Sequence, residues 1–336
     1  APDVTGQEEV NLLANRLLQT FASPFCMESE NVVINISIGI VQQCEDSDMT
    51  LWLRNSSIAL SNAKQDKARV SIYSPEMANA SRHRTQMLAR INKAIEKQQF
   101  EPFYQPIIDL ETGTTIGAEA LARWVTEQGV IAPLEFIPLA EETGLISDIG
   151  QQILHKSCRD TAIAIETGMW APDFSIHVNL AVDQLSQPGF VEQVKTTLRD
   201  TKLPAQNLTL EITESRIFDN DPTIIDNMLA LKALGISIAI DDFGTGYSSL
   251  AYLQKLPFDC LKIDRSFVNK LEKENLDSSI VAAIVNITHG FKVNLVAEGV
   301  ETQQQADLLK QLKCPQAQGF LYSRPVPFDE WPRQLS

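Results

Sequence analysis

Acidic and amide side chains recur at the ends of stretches that read as strands. In chain order, each of six such stretches delivers an Asp, Glu or Asn near its end. One acid in that position is readily explained as a helix N-cap or a surface residue, but six in succession favour a shared site. Carboxylates and an amide, without thiolates or patterned histidines, suit a hard cation such as Mg²⁺ or Mn²⁺, which would also relieve their mutual repulsion. The residues are Glu119, Asn179, Glu211, Glu214, Asp241, Asp242, Asp264, Glu298 and Glu301.

Two cationic side chains accompany these acids. Lys262 stands within an apolar stretch, where an unpaired ammonium would be costly, and this argues against a surface lysine. Arg123 lies near the end of another stretch and, taken alone, is better explained as a surface arginine. The four histidines show no metal-binding spacing, so each of them, His177 included, is predicted to be structural.

The neighbouring acids Asp241 and Asp242 raise a geometric problem. Successive residues of a strand point to opposite faces of the sheet, so two adjacent carboxylates should diverge. We expect the alternation to break down where the strand ends, which would let both side chains reach bound cations. The glycines that follow, Gly244 and Gly246, would let the chain bend away as a mobile loop.

Strands and helices that alternate along the chain must position these residues. The first two predicted strands are joined by a link of hairpin length, too short for a parallel crossover, so this pair is predicted to be antiparallel. The strand count and the polar strand ends favour a (β/α)8 barrel over an open doubly wound sheet. The eight predicted strands are residues 102–109, 115–122, 174–180, 207–213, 236–242, 259–264, 293–298 and 317–322.

Composition narrows the class of protein. The formal net charge of −15 leaves no basic footprint for a nucleic-acid polymer, although a small phosphorylated ligand could still bind through cations. Five scattered cysteines without a Cys-x-x-Cys pair argue for a reducing compartment. The sequence shows neither a bilayer-length apolar run nor a signal peptide, so we expect no membrane contact by this segment and a cytoplasmic location. We also expect the chain to be part of a longer protein, whose preceding part could carry a membrane anchor.

Nine ordered motifs resemble the EAL family of cyclic di-GMP phosphodiesterases. The resemblance covers roughly residues 85–330 and is specific because the motifs occur together and in order. It implies a TIM-like barrel whose first strand is antiparallel to the rest. The motifs are Tyr104-Gln-Pro-Ile, Glu119-Ala-Leu-Ala-Arg, Phe136-Ile-Pro-Leu-Ala-Glu-Glu-Thr-Gly, Val178-Asn-Leu, Glu211-Ile-Thr-Glu, Asp241-Asp-Phe-Gly-Thr-Gly-Tyr-Ser-Ser, Leu261-Lys-Ile-Asp-Arg, Ala297-Glu-Gly-Val-Glu-Thr and Gln318-Gly-Phe-Leu-Tyr-Ser-Arg-Pro.

The resemblance implies two divalent cations, Mg²⁺ or Mn²⁺, in each active site. Asp241 is expected to bridge them, and Asp242 with Glu298 to help hold the second. Glu298 is equally a candidate general base, and the resemblance does not separate these roles. Lys262 is expected to contact the attacking water or the phosphate. The ligands implied for the first cation are Glu119, Asn179, Glu211 and Asp241.

Further residues acquire substrate or structural roles from the same resemblance. Arg123 is expected to contact a phosphate and Gln105 the nucleotide, while Leu121 and Gln318 are placed in the substrate site. Glu214 is expected to prop the loop after Asp242. Asp264 and Glu301 are assigned to the site without a defined role. The implied reaction opens one phosphodiester of cyclic di-GMP to give linear pGpG, as part of bacterial second-messenger signalling.

The first part of the chain resembles the C-terminal half of a GGDEF domain, without the GGDEF signature itself. A helix, a strand at 31–41 rich in β-branched residues, and a second helix from about 49 to 63 are predicted there. We therefore divide the chain into a small α+β fragment at 1–76 without cyclase activity, a connecting helix at 77–99 and the barrel at 100–336. The resemblance further implies a homodimer through the barrel, although no motif specifies one.

Two other functions stay open at this point. A catalytically idle cyclic di-GMP receptor would keep the nucleotide site, but the matched ligand and lysine positions show no departure from the family pattern, which favours an enzyme. An unrelated barrel metallohydrolase would cleave simple phosphate esters and leave cyclic di-GMP intact.

Overall fold

The computed structural model describes residues 6–27, 30–42, 48–65, 69–214, 222–245, 253–271 and 279–333. It divides the chain into two compact units, Ala1–Arg90 and Ile91–Ser336. The division falls within one long helix, Pro75–Glu96, which covers most of the segment predicted as a connecting helix. None of the helices in the described ranges has the length and apolar character needed to cross a membrane.

The first unit consists of helices and short strands. Its helices are Gln7–Thr20 and Met49–Gln65, and its strands are β1 (Phe25–Met27), β2 (Glu30–Val32), β3 (Ile38–Ile40) and β4 (Val70–Ile72). Strand β1 pairs with β2 in an antiparallel manner, and β3 pairs with β4 in parallel.

The prediction of a single strand at 31–41 was wrong. Residues 33–37 join neither of the two small sheets, and they separate β2 from β3. Val33 and Ile34 are exposed despite their β-branched side chains. The β-branched pattern favours an extended backbone, but a strand also needs a partner to complete its hydrogen bonds.

The second unit contains a closed barrel of eight strands. Around the ring, the order is β5, β13, β12, β11, β10, β9, β8 and β6, and β6 pairs again with β5. The barrel predicted from the sequence is therefore confirmed. The strands are β5 (Phe100–Asp109), β6 (Thr115–Thr126), β8 (Ser175–Leu180), β9 (Leu208–Thr213), β10 (Ser237–Phe243), β11 (Cys260–Ile263), β12 (Asn294–Ala297) and β13 (Gln316–Gln318).

Strand β5 is antiparallel to both of its neighbours in the ring, β6 and β13, as predicted. The short link after Asp109 forms a turn in which Asp109 accepts hydrogen bonds from the backbone of Glu111 and Thr112. The other neighbours in the ring are parallel, so their carboxyl ends meet at one mouth of the barrel. That mouth receives the strand ends that carry the predicted ligands.

Two details of the sheet differ from the prediction. The eighth strand stops at Gln318 because the chain turns over Val300, whose backbone bonds to both Gln318 and Leu321. A Cβ at Gly319 would lie 2.1 Å from the Val300 oxygen, so a larger residue would not fit the turn. Two short strands outside the ring were not predicted, β7 (Gly129–Ile131) beside β6 and β14 (Val326–Pro327) beside β5.

Helices surround the ring, and apolar side chains fill the barrel below the mouth. Ile107, Ala239, Cys260 and Val296 form a buried cluster there. After Pro75–Glu96, the described helices of the second unit are Pro133–Thr143, Ile146–Glu166, Val182–Leu185, Phe190–Thr201, Pro222–Ala233, Arg265–Val268, Ile280–Phe291 and Gln303–Gln311, with 3₁₀ turns at Ala205–Asn207 and Phe328–Arg333.

Candidate metal centre and substrate cavity

A buried lysine stands at the centre of the carboxylates. Lys262 on β11 is fully buried, with an exposed fraction of 0%. Its Nζ lies 2.5 Å from Glu298 Oε1 and 2.7 Å from Glu211 Oε2. It also lies 3.2 Å from Glu119 Oε2 and 3.5 Å from Asp241 Oδ1. Four of the predicted site carboxylates therefore converge on one ammonium group.

Glu119 on β6 is held by three side chains from different strands. Asn179 Nδ2 donates to its Oε1 at 2.6 Å, and Gln318 Nε2 donates to its Oε2 at 2.7 Å. Lys262 approaches the same Oε2. The adjacent registers of β6, β8 and β9 place Glu119 beside His177, and Asn179 beside Glu211. Glu119, Gln318 and Lys262 are buried and Asn179 is exposed, and the three contacts together hold Glu119 in one orientation.

Glu211 on β9 has a partner on each oxygen. Lys262 binds Oε2, and His177 Nδ1 lies 2.8 Å from Oε1. The exposed fraction of Glu211 is 1% and that of His177 is 7%. His177 and Asn179 are two residues apart on β8, so both reach the barrel interior.

The two neighbouring aspartates lie at an irregularity of β10. The register between β10 and β11 shifts between Ile240 and Phe243, and Asp242 has a φ of 54°. The expected break in alternation is therefore present as a bulge, which re-aims the second side chain. Asp241, Asp242 and Glu298 can bring one carboxylate oxygen each within 4.8 Å of the others.

The excess of acids raises several pKa values. Burial, together with repulsion from Asp241 and Glu119, raises the pKa of Glu298 to about 8 in spite of Lys262. Burial, Asp241 and Asp264 raise the pKa of Asp242 to about 6. Both shifts favour the protonated carboxyl, first because burial disfavours the charged form and second because one ammonium does not balance the surrounding acids.

The groups closest to the lysine respond differently. Burial and the neighbouring carboxylates raise the pKa of Glu211 well above its usual range, although Lys262 opposes the rise. Burial alone would also raise the pKa of Glu119, but Lys262 and the hydrogen bonds from Gln318 and Asn179 outweigh it and lower that pKa. Burial would lower the pKa of Lys262, but the acids around it raise it well above its usual value, so the lysine is charged.

The donor set fits a hard divalent cation. It consists of carboxylate oxygens and one amide, and Asp241, Asp242 and Glu298 offer three oxygens close enough to share an ion. Burial and the neighbouring acids raise the pKa values of Asp242 and Glu298, and a cation bound there would stabilise their ionised forms. The residues present are therefore suited to Mg²⁺ or Mn²⁺.

A cavity of about 380 Å³ opens beside these residues. Its lining includes Glu119, Asn179 and Asp241, together with Leu121 and Arg123, for which substrate contacts were predicted. An apolar wall from the helices Pro133–Thr143 and Ile146–Glu166 completes it. The cavity thus combines acidic groups, the guanidinium of Arg123 and an apolar surface, a combination suited to a charged ligand with flat apolar parts.

Arg123 is half-buried in this lining. Its guanidinium donates to Ala122 O at 2.9 Å and lies 5.8 Å from the centroid of the Phe103 ring. Burial lowers the pKa of Arg123, and the charge of Glu119 counteracts the shift. Arg123 is therefore part of the cavity, contrary to its interpretation as an isolated surface arginine.

Gln105 and Gln318, both predicted substrate residues, are buried and bound to each other. Gln318 Nε2 donates to Gln105 Oε1 at 2.9 Å and to Glu119. Gln105 Nε2 donates to Ser323 O at 3.0 Å. In this structure Gln318 holds Glu119 and Gln105 holds Gln318, and the substrate contacts of both stay a prediction.

The remaining predicted residues lie around the rim. Glu214 Oε2 accepts a hydrogen bond from the Gly244 backbone at 2.7 Å, which ties it to the turn after Asp242. Asp264 caps the short helix Arg265–Val268 by accepting from Ser266 N. Glu301 is exposed, and its backbone N–H donates to Gln305. The rest of the predicted loop, from residue 246 to 252, lies outside the described residues.

His177 is the residue that sequence reasoning missed. It was predicted to be structural, yet it contacts Glu211 directly. Burial and the charge of Lys262 lower the pKa of His177 to about 3, so the ring is neutral. Its position two residues before Asn179 on the same strand was the available signal, because such residues share a face.

The fold and the site together define a barrel with an acidic mouth whose carboxylates could hold a cation. The family model described as EAL domain matches residues 88–325, and the chain therefore belongs to the EAL domain family. MucR of Pseudomonas aeruginosa, named a bifunctional diguanylate cyclase/cyclic di-GMP phosphodiesterase, is 38% identical over 321 residues, which are 95% of this chain and 47% of MucR. NbdA of the same organism, named a cyclic di-GMP phosphodiesterase, is 34% identical over 97% of this chain and 42% of NbdA. The chain spans about half the length of these relatives, or less.

Solved structures show the same likeness. The PaMucR phosphodiesterase in complex with c-di-GMP matches with a TM-score of 0.69 and 42% identity, over 73% of this chain and 99% of that chain. The EAL enzyme Bd1971, in a form bound to cAMP and cyclic di-GMP, matches with a TM-score of 0.73 and 29% identity, over 86% of this chain and 77% of that chain.

Proposed function

We propose that this chain is a metal-dependent phosphodiesterase that opens one phosphodiester of cyclic di-GMP to give linear pGpG. The observation that carries the proposal is the meeting of four carboxylates on Lys262 beside a cavity that Arg123 also lines. The names of similar proteins, MucR and NbdA, support the same substrate.

The residues that would hold two divalent cations fall into two overlapping sets. Glu119, Asn179, Glu211 and Asp241 would hold the first. Asp241, Asp242 and Glu298 would hold the second, and their carboxylate oxygens can lie within 4.8 Å of one another. When bound, a pair of such cations supplies activation of water and compensation of charge on the attacking and leaving oxygens.

The side chains of the chain itself bind and orient the substrate. Arg123 offers a planar guanidinium to a phosphate oxygen at the cavity wall. Lys262, charged and fixed by four acids, offers an ammonium to the scissile phosphate or to the attacking water. Glu298, which lies beside Lys262 and Asp241, is a candidate to accept a proton as well as a ligand of the second cation. The apolar wall of the cavity excludes water from one side and offers a surface to a base.

The direct test is turnover of cyclic di-GMP with Mg²⁺ or Mn²⁺, with pGpG followed by chromatography. We expect pGpG from the unmodified chain and its loss on metal chelation. Glu119→Ala should abolish turnover because it removes a predicted ligand of the first cation, whereas Glu192→Ala, at an exposed position of the helix Phe190–Thr201, should have no effect. Nucleotide binding without pGpG would indicate a receptor, and cleavage of simple phosphate esters alone would indicate an unrelated hydrolase.

The assignment of cations to sets has a separate test. Asp242→Asn removes a carboxylate that only the second set contains, so a metal titration should show the second binding event weakened more than the first. Equal weakening of both events would refute the division into two sets.

A further inference from the structure

We propose that His177 is a positioning residue that fixes Glu211 for cation binding through its Nδ1 atom. The inference rests on the proposed function, because it assigns a role within the same site. His177 itself would contact neither the substrate nor a cation.

The first step of the argument is the geometry around Glu211. A carboxylate in the barrel could rotate about its last bond unless both oxygens were engaged. Here Lys262 lies 2.7 Å from Oε2, and His177 Nδ1 lies 2.8 Å from Oε1. His177 lies on β8, on one side of β9, and Lys262 lies on β11, beyond β10 on the other side. The two contacts together therefore define one orientation of the Glu211 carboxylate.

The second step is burial. The exposed fractions of His177 and Glu211 are 7% and 1%, so water cannot readily replace the imidazole as a partner. A buried carboxylate oxygen that loses its partner carries a desolvation penalty or turns towards another donor. If the carboxylate turns, its other oxygen, Oε2, also moves relative to Lys262.

The third step is general chemistry. Groups that bind a ligand of a metal orient that ligand, and their removal typically lowers metal affinity by about 10–100-fold. His177 has the position of such a group relative to Glu211. Its neighbour in the register, Thr209, is also buried but bonds to Ser175 instead, at 2.9 Å. Thr209 therefore supplies a matched position at the same level of the barrel.

The experiment uses two nearly isosteric substitutions in the full chain. His177→Asn retains a polar atom near the position of Nδ1, and His177→Leu removes it. Mn²⁺ binding is measured by calorimetry on metal-free protein, and turnover is then measured at increasing Mn²⁺. We expect His177→Leu to lower the Mn²⁺ affinity by about 10–100-fold. The Mn²⁺ affinity of His177→Asn should stay within about threefold of that of the unmodified chain. At saturating Mn²⁺ the kcat of His177→Leu should return to most of the value of the unmodified chain, which a general loss of structure would not allow.

Thr209→Val is the control, and it should leave Mn²⁺ affinity unchanged. If His177→Leu does not fold, His177→Val, which suits a strand, takes its place, and melting without metal checks each variant. Unchanged affinity in a folded apolar variant, or equal losses in the Asn and Leu variants, would overturn the inference. So would an unmodified chain that binds no Mn²⁺. A chain that binds Mn²⁺ but makes no pGpG would refute the proposed function and still report on His177.

Discussion

Two lysines are buried in the part of the chain that the structure describes, and their surroundings differ in charge balance. Lys262, in the barrel, faces four carboxylates, and a fifth acid, Asp242, adjoins them. Lys156, on the helix Ile146–Glu166, faces one carboxylate and two backbone carbonyls. Its Nζ lies 2.7 Å from Glu101 and 2.8 Å from both Gln98 O and Phe100 O.

The difference separates a structural ion pair from one that we propose to be functional. At Lys156 the three donors of the ammonium have three acceptors, and one positive charge meets one negative charge. At Lys262 the acids exceed the cation, so the group stays electrostatically strained until further positive charge arrives. The balanced pair at Lys156 needs no further partner, whereas the excess of buried acid at Lys262 indicates a candidate site for a charged ligand.

The largest effect is expected when each lysine is replaced by methionine, which keeps the apolar stem. Lys262→Met leaves the acids facing one another, so turnover should fall by about 10²–10³-fold. Stability without metal should fall by about 3–5 kcal/mol, since one side of a buried ion pair is lost. Turnover of cyclic di-GMP and denaturant unfolding measure the two effects. A Lys262→Met variant with turnover within tenfold of the unmodified chain would remove the functional side of the comparison.

A pH titration of stability tests the excess of acid directly. The folded-state pKa values of Glu298 and Asp242 are raised to about 8 and about 6, above their ordinary values of 4.5 and 3.8. The folded chain therefore holds protons that the unfolded chain releases, and metal-free stability should decrease as the pH rises from about 4 to about 8, on the order of 2 kcal/mol. Denaturant unfolding at several pH values provides the measurement.

Two controls accompany that titration. Saturating Mg²⁺ should reduce the decrease, because the cation replaces the protons, and Glu298→Gln should flatten the upper part of the profile. Stability that rises with pH over this window in metal-free protein would show that the acids are balanced after all.

The sequence carried most of the fold and of the acidic site. Strand ends revealed Glu119, Asn179 and Asp241, because the closure of a parallel barrel brings carboxyl ends together whatever the detailed register. The contact between His177 and Glu211 depends on the register between β8 and β9, which no local pattern specifies. The bond between Gln105 and Gln318 likewise joins residues 213 positions apart.

The balanced lysine should affect stability and leave the proposed function intact. Lys156→Met leaves Gln98 O and Phe100 O without this donor, so the free energy of unfolding should fall by about 3 kcal/mol. Mn²⁺ affinity and kcat should stay unchanged, because none of its three acceptors is a predicted ligand. Lys195→Met, at an exposed pair with Glu192, is the matched control and should cost less than about 0.5 kcal/mol. Loss of metal binding in Lys156→Met would contradict the purely structural role that we assign to Lys156.

Neighbouring residues on β5 repeat the contrast at a smaller scale. Tyr104 points away from Gln105, and its hydroxyl donates to Asp160 Oδ2 at 2.8 Å within a cluster of aromatic rings. Burial and the charge of Asp160 raise the pKa of Tyr104 well above its usual value, so the hydroxyl keeps its proton. Tyr104→Phe should lower the free energy of unfolding by about 1.5 kcal/mol and leave kcat and KM unchanged, whereas Gln105→Leu should reduce kcat through Glu119. Equal effects of the two substitutions on turnover would contradict the assignment of a structural role to Tyr104 and a role in the site to Gln105.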